Sequence, residues 1–145
     1  SINDGAAALV LMRQSTAQQL GSQPVARIVA HATHAQEPEW FATAPVGATH
    51  KVLAKAGWQV GDVDLWEINE AFAVVPMALM KELQLSHDKV NVNGGACALG
   101  HPIGASGARI IVTLIHALQA RGLRRGVATL CIGGGEATAM AIELV

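Results

Sequence analysis

Short apolar runs of strand length alternate with segments of helical composition along nearly the whole chain, and that order constrains the fold more than any other feature. A helix between two strands returns the chain to the same end of a sheet, so the pattern implies mostly parallel strands with helices on both faces. Val25 to Ala32, Leu65 to Ile68 and Val127 to Ile132 read as strands, with Asn69 at the carboxyl end of the second. Ala6 to Met12 is an unbroken apolar run, expected to be a strand buried on both faces. Ser15 is expected to cap a short helix that stops at Gly21, and Ala48 to Ala56 a second that stops at Gly57. A helix from about Glu70 to Leu85 must carry Pro76 early or kink there, and another from about Ala105 to Ala120 stops at Gly122. Gly133-Gly134-Gly135 turns the chain into a last strand, Ala137 to Val145, so a hairpin should close the sheet with one antiparallel edge. The fold class is therefore α/β, a mixed, mostly parallel sheet.

The 145 residues suit one domain, and no repeat, low-complexity tract or linker divides them. With 51% of residues apolar and 14% charged, the chain is too hydrophobic to be disordered, and some of its apolar surface is expected to face a partner. A net charge of -1, with basic residues clustered only at Arg121, Arg124 and Arg125, excludes a nucleic-acid footprint. The longest near-continuous apolar run, Ala71 to Met80, is about half a membrane span and contains Pro76, so no membrane partner is expected. The two cysteines, Cys97 and Cys131, have neither disulfide nor zinc-site spacing, which favours a reducing, cytoplasmic setting. The chain opens at Ser1 without an initiator Met or leader pattern, and is expected to be a fragment.

Eight of the 15 glycines fall in two short stretches, Gly94 to Gly107 and Gly133 to Gly135, and each stretch carries a reactive side chain. His101 lies between Gly100 and Pro102, and Cys131 ends a strand just before three glycines. Open parallel sheets bind ligands at the carboxyl ends of their strands, where Asn69, Cys131 and the His101 loop could converge. An imidazole, a tuned thiol and an amide that orients water together suit proton abstraction beside a carbonyl. On spacing alone, a structural histidine and a core cysteine explain these residues as well. Cys97 is expected to be buried. GHPIGASG has neither the spacing nor the lysine of a phosphate loop, and Gly104-Ala105-Ser106-Gly107 misses the nucleophile elbow. His31 and His34 point to opposite faces of a strand without further ligands, so no metal site is expected.

NEAFA at Asn69 to Ala73, NVNGGACALGHPIGASGAR at Asn91 to Arg109 and CIGGG at Cys131 to Gly135 resemble the three carboxyl-terminal motifs of the thiolase family, in order and separation. The likeness runs from NDGAAALVLM to the closing AIELV and is greatest to the biosynthetic acetyl-CoA acetyltransferases of that family. It implies that residues 1–145 are a carboxyl-terminal domain of βαβαβαββ type, whose amino-terminal partner domain, with the nucleophilic cysteine, is absent from the chain. The activity implied is the reversible condensation of two acetyl-CoA molecules to acetoacetyl-CoA and coenzyme A. Coenzyme A thioesters are then substrates, and no cofactor is expected.

The resemblance also implies roles. His101 would activate the nucleophilic thiol, Cys131 would move the proton at the α-carbon of acetyl-CoA, and Asn69 would hold a water that forms an oxyanion hole with His101. The Gly133 amide would stabilise the acyl-enzyme oxyanion. Phe72 and Ile103 would line the acyl pocket. Glu136-Ala137-Thr138 departs from the apolar residue and glycine that many relatives carry after CIGGG. The coenzyme A loop would lie mostly upstream of Ser1. The whole protein is expected to be a homo-oligomer and this chain alone inactive. The alternatives are a longer-chain 3-ketoacyl-CoA thiolase and a non-enzymatic thiolase-like assembly module.

Overall fold

A computed structural model describes all residues from Ser1 to Val145. The principal elements are α1 (Gln14–Gln19), β1 (Ala26–Ala35), α2 (Ala44–Ala56), β2 (Leu65–Ile68), α3 (Val74–Leu83), α4 (Ala96–Leu99), α5 (Ile103–Arg121), β3 (Arg125–Cys131) and β4 (Glu136–Leu144). Helix α2 ends where Gly57 turns left-handed at φ 69°, and α5 where Gly122 does so at φ 64°. In each case the next two amides return to carbonyls of the last turn, Gly57 to Ala54 and Trp58 to Leu53 in α2, and the helix stops. Pro76 is the third residue of α3, inside the first turn, where the amide it lacks has no helical partner to lose.

The strands lie in the order β1-β4-β3-β2. β2 and β3 are parallel, while β4 runs antiparallel to both β3 and β1, so β1, β2 and β3 share one direction. A parallel bridge from Trp66 to Val90 adds the remnant of a further strand outside β2. Counting it, the chain runs β-α-β-α-β-α-β-β. The antiparallel strand lies inside the sheet rather than at its edge, which corrects the expectation. The tight turn forces β4 beside β3, whose other side belongs to β2, and β1 then takes the edge of β4 that is left.

Each face of the sheet builds its own core because alternate side chains point to opposite sides. Val52, Trp66, Ile68, Val75, Leu79, Val127 and Ala139 fill the side covered by α2 and α3. Leu65, Ile110, Leu114, Leu118, Ala128 and Ile142 fill the side covered by α5. Burying each of the larger aliphatic side chains contributes roughly 1.5–3 kcal/mol before entropy is subtracted. Leu114 sits so close over Gly126 that a Cβ there would stand 2.7 Å from it, which sets the approach of α5 to β3. At 19 residues and a mean hydropathy of 1.3, α5 has the length and composition of a membrane span, but its Ile110, Leu114 and Leu118 are spent on this core.

Other expectations need correcting. Ala6 to Met12 forms no strand, and Val10 and Leu11 are 89% and 62% exposed. An apolar run states a need for burial, but a strand also needs a neighbour with free amides and carbonyls. The outer edge of β1 is blunted by Lys51 and Lys55, which donate to the carbonyls of Thr33 and His31 at 3.3 and 3.1 Å. Ser15 lies within α1 rather than capping it, and Arg13 holds the cap position. Helix α3 begins at Val74 instead of Glu70, whose carboxylate is committed elsewhere.

Candidate functional site

Asn69 follows β2 directly and continues the parallel ladder, its amide donating to the Thr129 carbonyl at 2.9 Å. Its side chain is wholly buried. The loop opposite is fastened to β2 by Asn91, which sits at φ 47° and copies a strand. Its Nδ2 donates to the Ile68 carbonyl and to Glu70 Oε1, both at 2.8 Å, while its Oδ1 accepts the Ile68 amide at 2.8 Å. Glu70 Oε2 accepts the Cys97 amide at 2.9 Å, and together these bonds fix the segment that leads to His101. Cys97 itself is exposed, contrary to expectation, because the short α4 turns that side outward.

Gly100, at φ 93°, lets the chain reverse before His101, and α5 starts two residues later. His101 Nδ1 lies 2.6 Å from Ser106 Oγ in the first turn of α5, and Nε2 lies 3.4 Å from Asn69 Nδ2. The Ser106 hydroxyl donates to the Pro102 carbonyl at 3.1 Å. A hydroxyl has one proton, so Ser106 accepts from Nδ1–H, and Nε2 is left with its lone pair toward the Asn69 amide. Burial, then the Arg109 charge, then the amino group of Ser1 hold the His101 pKa below its ordinary value. The imidazole is thus a neutral base, oriented at both nitrogens. Asn69 Oδ1 is buried and takes no hydrogen bond from the protein, as an amide that holds a water requires.

Cys131 closes β3 at the same carboxyl end of the sheet, beside the residues that follow Ile68. The residue is 8% exposed and belongs to the core cluster that contains Ile68, on the side of the sheet covered by α2 and α3, with no hydrogen bond to His101 or Asn69. Burial pushes the thiol up, against a smaller backbone contribution. Gly133 lies in the β3–β4 turn with open space where a Cβ would be, and its amide donates to no protein acceptor. Phe72 and Ile103 are 60% and 62% exposed, and Phe72 meets Phe41 edge to face with ring centroids 6.0 Å apart. The structure therefore brings Asn69 and His101 together, places Cys131 and Gly133 at the same end of the sheet but turns the Cys131 side chain to the opposite face from Asn69, and leaves Phe72 and Ile103 on open surface. Two shallow hollows, of about 420 and 400 Å³, flank β1 near His34, and the second reaches Ile132, between Cys131 and Gly133.

Reading the sequence missed Ser106 and the ion pair behind it. Arg109 Nη1 lies 3.3 Å from Glu67 Oε2, and Glu67 is 1% exposed. Burial raises the Glu67 carboxyl to about 7, against the pull of Arg109. A charge within a four-residue strand otherwise made of Leu, Trp and Ile was the available signal.

Residues 22–144 match the family model described as Thiolase, C-terminal domain. The chain is 58% identical to an acetyl-CoA acetyltransferase of Escherichia coli over 98% of this chain and 36% of that protein. A cytosolic acetyl-CoA acetyltransferase of mouse is 54% identical over the same shares, 98% and 36%. The crystal structure of the Bacillus anthracis acetyl-CoA acetyltransferase superposes with a TM-score of 0.89 at 48% identity, covering 92% of this chain and 34% of that one. The chain thus spans about 36% of the length of the curated relatives it matches.

Proposed function

The chain belongs to the thiolase family, and on that premise we propose that it is the carboxyl-terminal catalytic domain, residues 1–145, of an acetyl-CoA acetyltransferase. The reaction is 2 acetyl-CoA to acetoacetyl-CoA and coenzyme A, in either direction. The observation that carries the proposal is the pair of contacts that orient His101, Nδ1 to Ser106 and Nε2 to Asn69. With Nδ1 protonated, Nε2 takes the proton of a cysteine thiol supplied by an amino-terminal domain, and the thiolate attacks the acetyl carbonyl. Coenzyme A leaves with the proton of the Cys131 thiol, the acetyl group stays on the cysteine as a thioester, and His101 keeps the proton it took. The Gly133 amide stabilises the oxyanion formed in that transfer.

In the second half, the Cys131 thiolate removes a proton from the α-carbon of another acetyl-CoA while the proton now on His101 Nε2 and a water held by Asn69 stabilise the enolate oxygen. The carbanion attacks the thioester, the carbon–carbon bond forms, and the nucleophilic thiolate is released. Phe72 and Ile103 border the acyl group once an amino-terminal domain covers them. Coenzyme A thioesters are the substrates, and the cycle needs no cofactor. The assembled protein is a homo-oligomer of the cytoplasm, a setting supported by relatives named as cytosolic.

The test is acetyl labelling of the protein from radiolabelled acetyl-CoA, in the polypeptide that also carries the nucleophilic thiol. His101→Ala should abolish labelling, whereas Cys131→Ser should keep labelling and lose acetoacetyl-CoA formation. Equal loss of label in both variants would overturn the division of roles.

A further inference from the structure

Glu67 and Asn69, two residues apart along β2 and its extension, lie on the side of the sheet covered by α5. From α5, Ser106 and Arg109 are three residues apart and share one face of the helix. Ser106 binds His101, and Arg109 binds Glu67, so one helix turn links the imidazole to a buried ion pair. Glu67 Oε1 and Arg109 Nε are also buried, without any hydrogen-bond partner. Stability alone gives little reason for such a pair, because desolvation offsets most of the attraction between buried charges. Its value must lie in what it does to a neighbour.

We infer that Arg109, braced by the buried carboxylate of Glu67, is a positioning residue for His101: it holds the turn that carries Ser106 and opposes a positive charge on the ring. The inference rests on the reading of His101 as a base. Arg109 from α5 and the amino group of Ser1 are the cations that act on the ring, and both disfavour the imidazolium. Glu67, from β2, stands against Arg109, and the Glu70 carboxylate is turned to Asn91 and the Cys97 amide. No carboxylate binds the ring directly, so the charge that reaches it is positive.

The measurement is an NMR pH titration of the His101 ring in this chain, with the Ser1 amine acetylated so that Arg109 is the remaining cation. Arg109→Lys should keep the His101 midpoint near its original position. Arg109→Gln should raise it. Where that variant is damaged by a stranded Glu67 carboxylate, Glu67→Gln/Arg109→Gln removes both charges together and should raise the midpoint as well. An unmoved midpoint in the double variant, with cooperative unfolding retained, would sink the inference and leave His101 as a base untouched. A raised midpoint, combined with full acetyl labelling in His101→Ala, would support the coupling and overturn only the catalytic reading.

Discussion

At the scale of single residues, the site depends on which atoms have been left without partners. Asn69 Oδ1 and the Gly133 amide are such atoms, one buried acceptor and one open donor. Gly133 separates function from stability with unusual clarity, because its φ lies outside the left-handed region and a Cβ there would meet nothing within 4 Å. Gly133→Ala should therefore leave the thermal midpoint within about 2 °C, as expected for a surface change of a few tenths of a kcal/mol. In the protein that carries the nucleophile it should lower acetyl transfer roughly 10- to 1,000-fold, because the methyl group would stand beside the amide proposed as oxyanion donor. Calorimetry and a coenzyme A release assay on the same preparation check both halves. Unimpaired transfer would remove Gly133 from the site. Gly135 is the contrasting case, at φ 96° and with the Gln36 carbonyl in the place a Cβ would take, and alanine there strains the turn itself.

At the scale of elements, the sheet is stapled at the end opposite the site. Glu143 on β4 accepts Arg27 of β1 at 2.6 Å and Arg125 of β3 at 3.0 Å, and Arg125 also lies 5.0 Å from the centre of the Trp58 ring. The Arg125 hydrogen bond, helped by Arg27, holds the Glu143 carboxyl below its ordinary 4.5. A depressed folded-state pKa gives stability that is complete above the unfolded value and lost as pH falls through the folded one. The chain should thus weaken on acidification below about pH 4.5, and Glu143→Gln should weaken less over that range. His101 contributes in the same sense, at higher pH, because its folded pKa is also lowered. Urea midpoints at about pH 3 and about pH 6 measure the difference, and the same acid dependence in both proteins would remove the staple from the account.

At the scale of the whole molecule, the site is an open edge rather than a pocket. Phe72, Val74, Met77 and Ile103 are each more than half exposed around it, and Val10 and Leu11 extend the exposed apolar surface elsewhere. The chain by itself should release no coenzyme A from acetyl-CoA, since neither of its thiols stands against His101 as a nucleophile. Cys131 is buried in a core, and Cys97 is exposed beside Glu70. It should also self-associate, which light scattering reads directly. Turnover that vanishes in Cys97→Ala would refute the first expectation, and a strict monomer the second.

Much of this was legible in the sequence because it is local. The helix stops at Gly57 and Gly122 rest on bonds to their own last turns, and the strand composition of β2 and the glycine run at Gly133 to Gly135 show without knowledge of their distant neighbours. Asn69, His101 and Cys131 could be named from motifs for the same reason. The tertiary structure alone decided where β4 lies, which apolar run goes unpaired, and that Ser106 sets the His101 tautomer. It alone joined Glu67 to Arg109, 42 positions away. Composition and periodicity state what a segment must bury, whereas a hydrogen bond or ion pair exists only once folding has brought its second partner within reach.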